Sequence, residues 1–261
     1  MLILVARTDK NTVMMFVDML GFAALIRAHP DIDEHTLTHI DRLSRRVPYH
    51  GLAAQFINFH QIIENEFEEF AAQLFAGASP QAVTLADSAF ITMPSLKDAA
   101  ATAARIMRSF ITAEVPVRIG IGCGSYLLLR FEAKSETRAA TYTSQFLGTA
   151  VVNAQEARHS QVRGLRILLH SSASPLATVE DVDPPQLLPL SDSAGSAPVG
   201  EPQAAWAEIN YSSPGDANVD DELMAALRRM KDAAGEKASH HYTATFEAFN
   251  QMRAARGRPP L

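Results

Sequence analysis

Hydrophobic positions along the chain follow two rhythms: short unbroken apolar runs, and longer stretches in which they recur every three or four residues. Thr12 to Val17 (TVMMFV) is apolar and β-branched, which predicts a buried strand. Gly21 breaks it, and Phe22 to His29 predicts a helix that continues to about Arg46, kinked or divided at Pro30. Ala53 to Phe75 has helical spacing, with Phe56, Ile57, Ile62, Ile63, Phe67, Phe70 and Leu74 on its apolar side. Gln81 to Leu85 and Ala89 to Met93 predict two strands meeting around Ala86-Asp87-Ser88, a hairpin with a carboxylate at its tip. Asp98 to Thr112 predicts an amphipathic helix. Val115 to Leu129 predicts a strand pair or one long strand, Thr141 to Leu147 another strand, and Gly148 to His159 a helix. Gly164 to His170 (GLRILLH) predicts the next strand.

The order strand, helix, strand, strand, helix, strand is that of an α+β, ferredoxin-like βαββαβ fold. Beyond it the pattern weakens. Ser171 to Pro202 is rich in Pro, Ser, Asp and Gly and predicts loop. Ala205 to Tyr211 alternates like an edge strand, and two helices are expected near 220–234 and 240–253, before a frayed tail. The expected organisation is a core over 1–175, with 176–261 adding a loop, a strand and two helices to the same domain.

Composition narrows the possibilities. A chain of 261 residues with 47% apolar content is expected to be one large domain, or one domain with an appendage, with an ample core. A net charge of -6 argues against a nucleic-acid partner. No run of 18 apolar residues exists, so no membrane span or membrane partner is expected, and Leu2 to Ala6 is too short for a signal-peptide core. The single Cys123 excludes a disulfide framework and fits a reducing cytoplasm.

The longest apolar run, Val13 to Ile26, carries Asp18 in its middle. A carboxylate there costs several kcal/mol unless paired or bound to a cation, roughly the penalty of any buried charge. In a βαββαβ sheet the strand ending in Asp18 lies beside the hairpin carrying Asp87. The two carboxylates plus the Met19 carbonyl then form a hard-oxygen site for Mg²⁺ or Mn²⁺. Gly21 and Phe22 place backbone N–H groups beside it for a phosphate. That combination points to two-metal phosphoryl or nucleotidyl transfer. The competing reading makes Asp18 a helix cap and Asp87 a turn residue.

Four segments together resemble a known family. Phe16-Val-Asp-Met-Leu-Gly-Phe22 resembles the first-strand motif of class III nucleotide cyclases, and Leu85-Ala-Asp-Ser-Ala-Phe90 their hairpin motif. Arg118-Ile-Gly-Ile-Gly-Cys-Gly124 resembles the following strand, and Gly148-Thr-Ala-Val-Val-Asn-Ala154 the helix bearing transition-state groups. The matches come in the family's order and span roughly Val13 to Arg158. The resemblance implies that Asp18, Asp87 and the Met19 carbonyl hold two divalent ions. It also implies attack of a ribose 3′-OH on the α-phosphorus, and a homodimer.

Departures from the family pattern refine this. At the two base-reading positions the chain has Val83 and Gln145, neither of the purine pairs. At the helix positions for the family's Asn and Arg it has Val152 and Glu156, with Asn153 and Arg158 one and two places on. This form is most similar to the bacterial pyrimidine cyclases of anti-phage defence. That likeness implies UTP as substrate, CTP second, and a separate effector that senses the cyclic nucleotide. The alternatives are a purine cyclase with an unusual pocket and an inactive cyclase-like nucleotide sensor or dimerisation module.

Other residues draw simpler readings. His35 and His39 lie on one helix face without a third ligand, and His240-His241 read as polar residues before a helix. The glycines at 120, 122 and 124 point to close strand packing. Arg130, Lys134 and Arg138 are triphosphate candidates, and Arg118 is expected to brace the sheet or a dimer interface.

Overall fold

The computed structural model describes residues 2–28, 52–73, 80–132, 143–160, 162–180, 182, 186–190 and 205–261. Its first strand, β1 (Leu2–Met19), is apolar on both faces over Val13 to Val17, as a strand covered on both sides must be. It begins ten residues before the predicted Thr12. The polar stretch Arg7 to Asn11 hides this extension, which pairs with the far half of β4 (Val117–Glu132) across two register shifts. Helices α1 (Phe22–Ala28) and α2 (Leu52–Gln73) follow. The predicted kink at Pro30 and the His35/His39 face lie outside the described residues.

The hairpin forms as β2 (Ala82–Thr84) and β3 (Ser88–Met93). Next come α3 (Leu96–Thr112), β4, β5 (Thr143–Leu147), α4 (Thr149–His159) and β6 (Ile167–His170). Ser95 caps α3 by accepting the Asp98 N–H at 3.0 Å, so the helix starts two residues before the predicted Asp98. The sheet order β2-β3-β1-β4, antiparallel throughout, is the ferredoxin-like arrangement expected from the sequence. Val115 to Leu129 resolves as a single long strand, with β5 folding back on its far end.

The stretch predicted as loop after His170 is more ordered than its composition implies. Ser171–Ala173 forms a 3₁₀ turn, Ser174–Val179 helix α5 with Pro175 in its first turn, and Leu187–Pro189 strand β7. β8 (Ala205–Ile209) lies between β6 and β7, so the expected edge strand is an interior one. Both edges of β8 are consequently paired, and Glu208 is buried on an ion pair with Arg166 while Trp206 stays exposed.

Helices α6 (Ala217–Ala233) and α7 (Glu236–Ala255) complete the chain. Leu223, Leu227 and Phe249 share one core with Val13, Val17, Ile106 and Phe110. The tail is not frayed: Arg258 reaches buried Asp220 at 2.7 Å, and the Leu261 N–H donates to Asn250 Oδ1 at 2.9 Å. No described helix is long and apolar enough to cross a membrane.

Among the described residues the opposite sheet face carries α4 alone. Met14, Phe16, Phe90, Tyr126 and Leu128 form a second core beneath Ala150, Val151 and Ala154. α4 lies so close to β4 that a Cβ on Gly120 would meet the Ala154 carbonyl oxygen at 2.0 Å, and one on Gly122 the Ala154 nitrogen at 2.4 Å. The glycines therefore serve helix-on-strand approach as well as strand packing.

Candidate active site

β1 ends in the core of the sheet, with Asp18 opposite Ser88 of β3 on one side and Arg118 of β4 on the other. The turn between β2 and β3 closes through the Leu85 N–H to the Ser88 carbonyl at 2.7 Å. Asp87 sits in that turn, and its carbonyl accepts the Met19 N–H at 2.8 Å. Strand pairing thus joins the Asp87 turn to the end of β1, as the sequence predicted. Leu20 donates to the Pro116 carbonyl at 2.8 Å, and Gly21 takes the left-handed φ of +78° that turns the chain into α1.

Alternation along β1 directs Asp18 to the Met14/Phe16 face, the one beneath α4. There Arg158, in the last turn of α4, donates through Nη2 to Asp18 Oδ2. Both side chains are mostly buried, at 18% and 14% exposure, so the guanidinium neutralises a poorly solvated carboxylate. Burial pulls Arg158 below its ordinary pKa, and its Nε is buried without a partner among the described residues. Arg158 Nη1 also meets His159 Nδ1 at 2.9 Å. Burial, Arg158 and Arg118 hold His159 below the usual imidazole range.

Arg118 organises this corner from beneath. Its Nε and Nη2 both donate to the Gly164 carbonyl at 3.2 Å, and its Nη1 to the Arg158 carbonyl at 3.3 Å. Burial and neighbouring Arg166 lower its pKa to about 10, still charged at neutral pH. It braces the sheet against the end of α4 and so positions Arg158, a role the sequence showed only as general bracing. The link depends on a contact 40 residues away in the chain and leaves no local signal.

The other predicted residues are distributed as follows. Asn153 donates Nδ2 to the Cys123 carbonyl at 2.8 Å, fastening α4 to β4. Val152 is exposed, and Glu156 lies 3.4 Å from His170 Nε2. Val83 stands opposite Phe90, whose ring lies 4.8 Å from Phe146 and 4.5 Å from Phe16. Gln145, exposed and opposite Leu129, precedes Phe146, so strand alternation turns it to the other face of β5. Phe146 is thus the β5 side chain that meets the hairpin, a residue the motif reading passed over. Phe22 packs against the main core, its ring 6.4 Å from Phe56. Arg130 lies in β4; Lys134 and Arg138 lie outside the described residues.

Among the described residues no group of three or more His, Cys, Asp and Glu side chains could hold a metal. The pair Asp18 and Asp87, with the Met19 carbonyl, nevertheless has the all-oxygen chemistry that Mg²⁺ and Mn²⁺ require. The guanidinium on Asp18 shows that this corner accommodates a cation.

No protein-family model and no curated protein matches the chain. Solved structures do resemble it. One is a bacterial light-regulated adenylyl cyclase, at 11% identity and a TM-score of 0.49, covering 84% of this chain and 58% of that one. Another is an adenylate cyclase from Trypanosoma brucei, at 15% identity and a TM-score of 0.47, covering 79% and 93%. A third is the guanylate cyclase domain of RhGC from Catenaria anguillulae in complex with GTP, at 11% identity and a TM-score of 0.47, covering 78% and 98%.

Proposed function

We propose that the chain is a nucleotide cyclase that converts UTP to 3′,5′-cyclic UMP and pyrophosphate, with CTP as the second substrate. The carrying observation is the bond from the Met19 N–H to the Asp87 carbonyl, which ties the two carboxylate-bearing segments together at the end of β1. Asp18, Asp87 and the Met19 carbonyl are assigned to two Mn²⁺ or Mg²⁺ ions. Bound there, the metals would favour deprotonation of the ribose 3′-OH and offset charge on the departing pyrophosphate. The 3′-oxygen forms the new bond to the α-phosphorus as the bond to the bridging oxygen of the β-phosphate breaks; the 3′-OH proton goes to solvent.

The N–H groups of Gly21 and Phe22 are assigned to phosphate oxygens. Arg158 would pair with those oxygens when a metal ion holds Asp18, and Asn153 would complete that side once its amide leaves the Cys123 carbonyl. Val83 is assigned to the base, whereas Gln145 turns to the other face of β5 and does not join it there; the resemblance to pyrimidine cyclases supports uracil over a purine. The same resemblance supports an anti-phage signal read by a separate effector. Exposed Leu147 and Val152, flanking Gly148, support a homodimer.

A second reading is a nucleotide-binding module without turnover. It is favoured by Arg158 on Asp18, Asn153 on a backbone carbonyl, and Glu156 near His170. Incubating the pure protein with each of the four NTPs and Mn²⁺, and identifying products by mass, separates the two. Cyclic UMP or cyclic CMP upholds the cyclase; cyclic AMP or GMP overturns the base assignment alone. Metal-dependent binding of UTP without product upholds the sensor.

A further inference from the structure

The last two helices leave a groove of about 380 Å³ between them, on the side of the sheet opposite α4. Met224, Arg228, Lys231 and Asp232 line it from α6, Phe246 from α7, and Leu261 from the tail. The four α6 residues recur at helical spacing and so share one face of that helix. Met224 is buried and Phe246 half-buried, which makes an apolar floor. Leu261 is held there by its N–H on Asn250 Oδ1 at 2.9 Å, one helix turn beyond Phe246. Lys231 Nζ stands over the Phe246 ring, 5.5 Å from its centroid.

Arg228 is exposed and Lys231 half-buried, so both heads are open to an occupant, and neither enters an ion pair among the described residues. Lys231 lies in the last turn of α6, where a cation complements the helix C-terminus. That accounts for its charge, but not for a second unpaired cation one turn earlier on the same groove wall. Two cations beside an apolar floor match an anion with an apolar body, because the head gains countercharge while the body leaves water. We propose that this groove binds a small organic monocarboxylate, its head between Arg228 and Lys231 and its apolar body, about one ring in size, on Met224, Phe246 and Leu261. The volume lies at the lower end of small-molecule sites, which combine apolar walls with a few placed polar groups. Arg228 supplies a planar fork that matches both carboxylate oxygens, and Lys231 a point charge. Asp232 on the same wall opposes the anion, so one negative charge is favoured over two. The site goes beyond the cyclase reading and stands without it.

The test uses the full chain without nucleotide or metal, and three probes in saturation-transfer NMR titrations. These are phenylacetate, phenylacetamide (the same body without charge) and acetate (the charge without the body). Phenylacetate should bind saturably, and more tightly than either of the others by about tenfold, the scale of two exposed ion pairs. Arg228→Gln and Lys231→Gln should each weaken phenylacetate by about two- to fivefold, the scale of one such pair, and leave phenylacetamide unchanged. Asp232→Asn should tighten phenylacetate by a similar factor, with thermal melting as the check that each variant folds. Absence of saturable phenylacetate binding, or equal binding of phenylacetamide, overturns the proposal. Phenylacetate affinity unchanged by Arg228→Gln and Asp232→Asn overturns it too, and those two exposed positions decide if Lys231→Gln fails to fold.

Discussion

Asp18 lies at the end of an apolar strand, shielded from water by α4 and neutralised there by Arg158. Removing the guanidinium leaves a poorly solvated carboxylate that gains more from a metal ion. Arg158→Met should therefore raise Mn²⁺ affinity by about three- to tenfold, the scale of a modest ion pair, as read by the electron spin resonance of free Mn²⁺. The same substitution should lower turnover if Arg158 moves on to the phosphates. Asp18→Asn and Asp87→Asn should each reduce cyclic nucleotide formation by at least about a hundredfold with circular dichroism unchanged. Full activity in either would remove the metal assignment. Asp18 was legible in the sequence as a carboxylate needing a partner, because an acid at the end of an apolar run demands one. The partner itself was not: Arg158 reaches Asp18 across 140 residues, through a helix phase that only packing decides.

That phase is set by α4 against β4. The Ser125 N–H donates to Thr149 Oγ1 at 2.9 Å, and the Thr149 N–H to Ser125 Oγ at 3.2 Å, fastening the start of the helix to the strand. Gly148, at φ +138°, leaves no room for a side chain, since a Cβ would meet the Ser125 carbonyl oxygen at 2.1 Å. Gly122→Val drives its side chain into the Asn153–Ala154 backbone and should lower stability by about 3 kcal/mol or more in urea unfolding. It should also lift Arg158 from Asp18. Ser95→Ala, at the cap of α3, should cost only about 1 kcal/mol and leave metal binding alone. Existence and order of these elements were readable from apolar spacing. The extra length of β1 and the short strand β7 were not, because the polar stretch Arg7 to Asn11 cuts Leu2 to Ala6 off from the predicted strand and β7 lies in a proline-rich segment; both are strands through their pairing with β4 and β8.

For the whole molecule, the cyclase reading expects a particle of twice 28.4 kDa in sedimentation. Leu147→Asp, on an exposed position, should shift it toward monomer and reduce turnover in parallel. Stability should be greatest between about pH 6.5 and 9. Cys123 is pushed up to about 12 by burial and by Glu180, so its contribution is complete below the ordinary thiol value of 9.0 and fades as pH rises toward 12. His159 and His241 have lowered values, so the unfolded chain takes up protons first and stability falls as pH drops below 6.5. Urea midpoints measured across pH check both slopes, and Cys123→Ala should flatten the alkaline one.

By itself the sequence determined the α+β element order, the central apolar strand, the two carboxylates and the glycine stripe. These are properties of residue spacing, since a strand or helix face is written in periods of two or 3.6. Only the tertiary structure decided that Arg158 lies on Asp18, that Arg118 holds the end of α4, that Phe146 meets Phe90, and that β8 is interior. Each of these brings together residues distant in the chain, and the distance between them is set by how helices and strands pack, which no local pattern encodes.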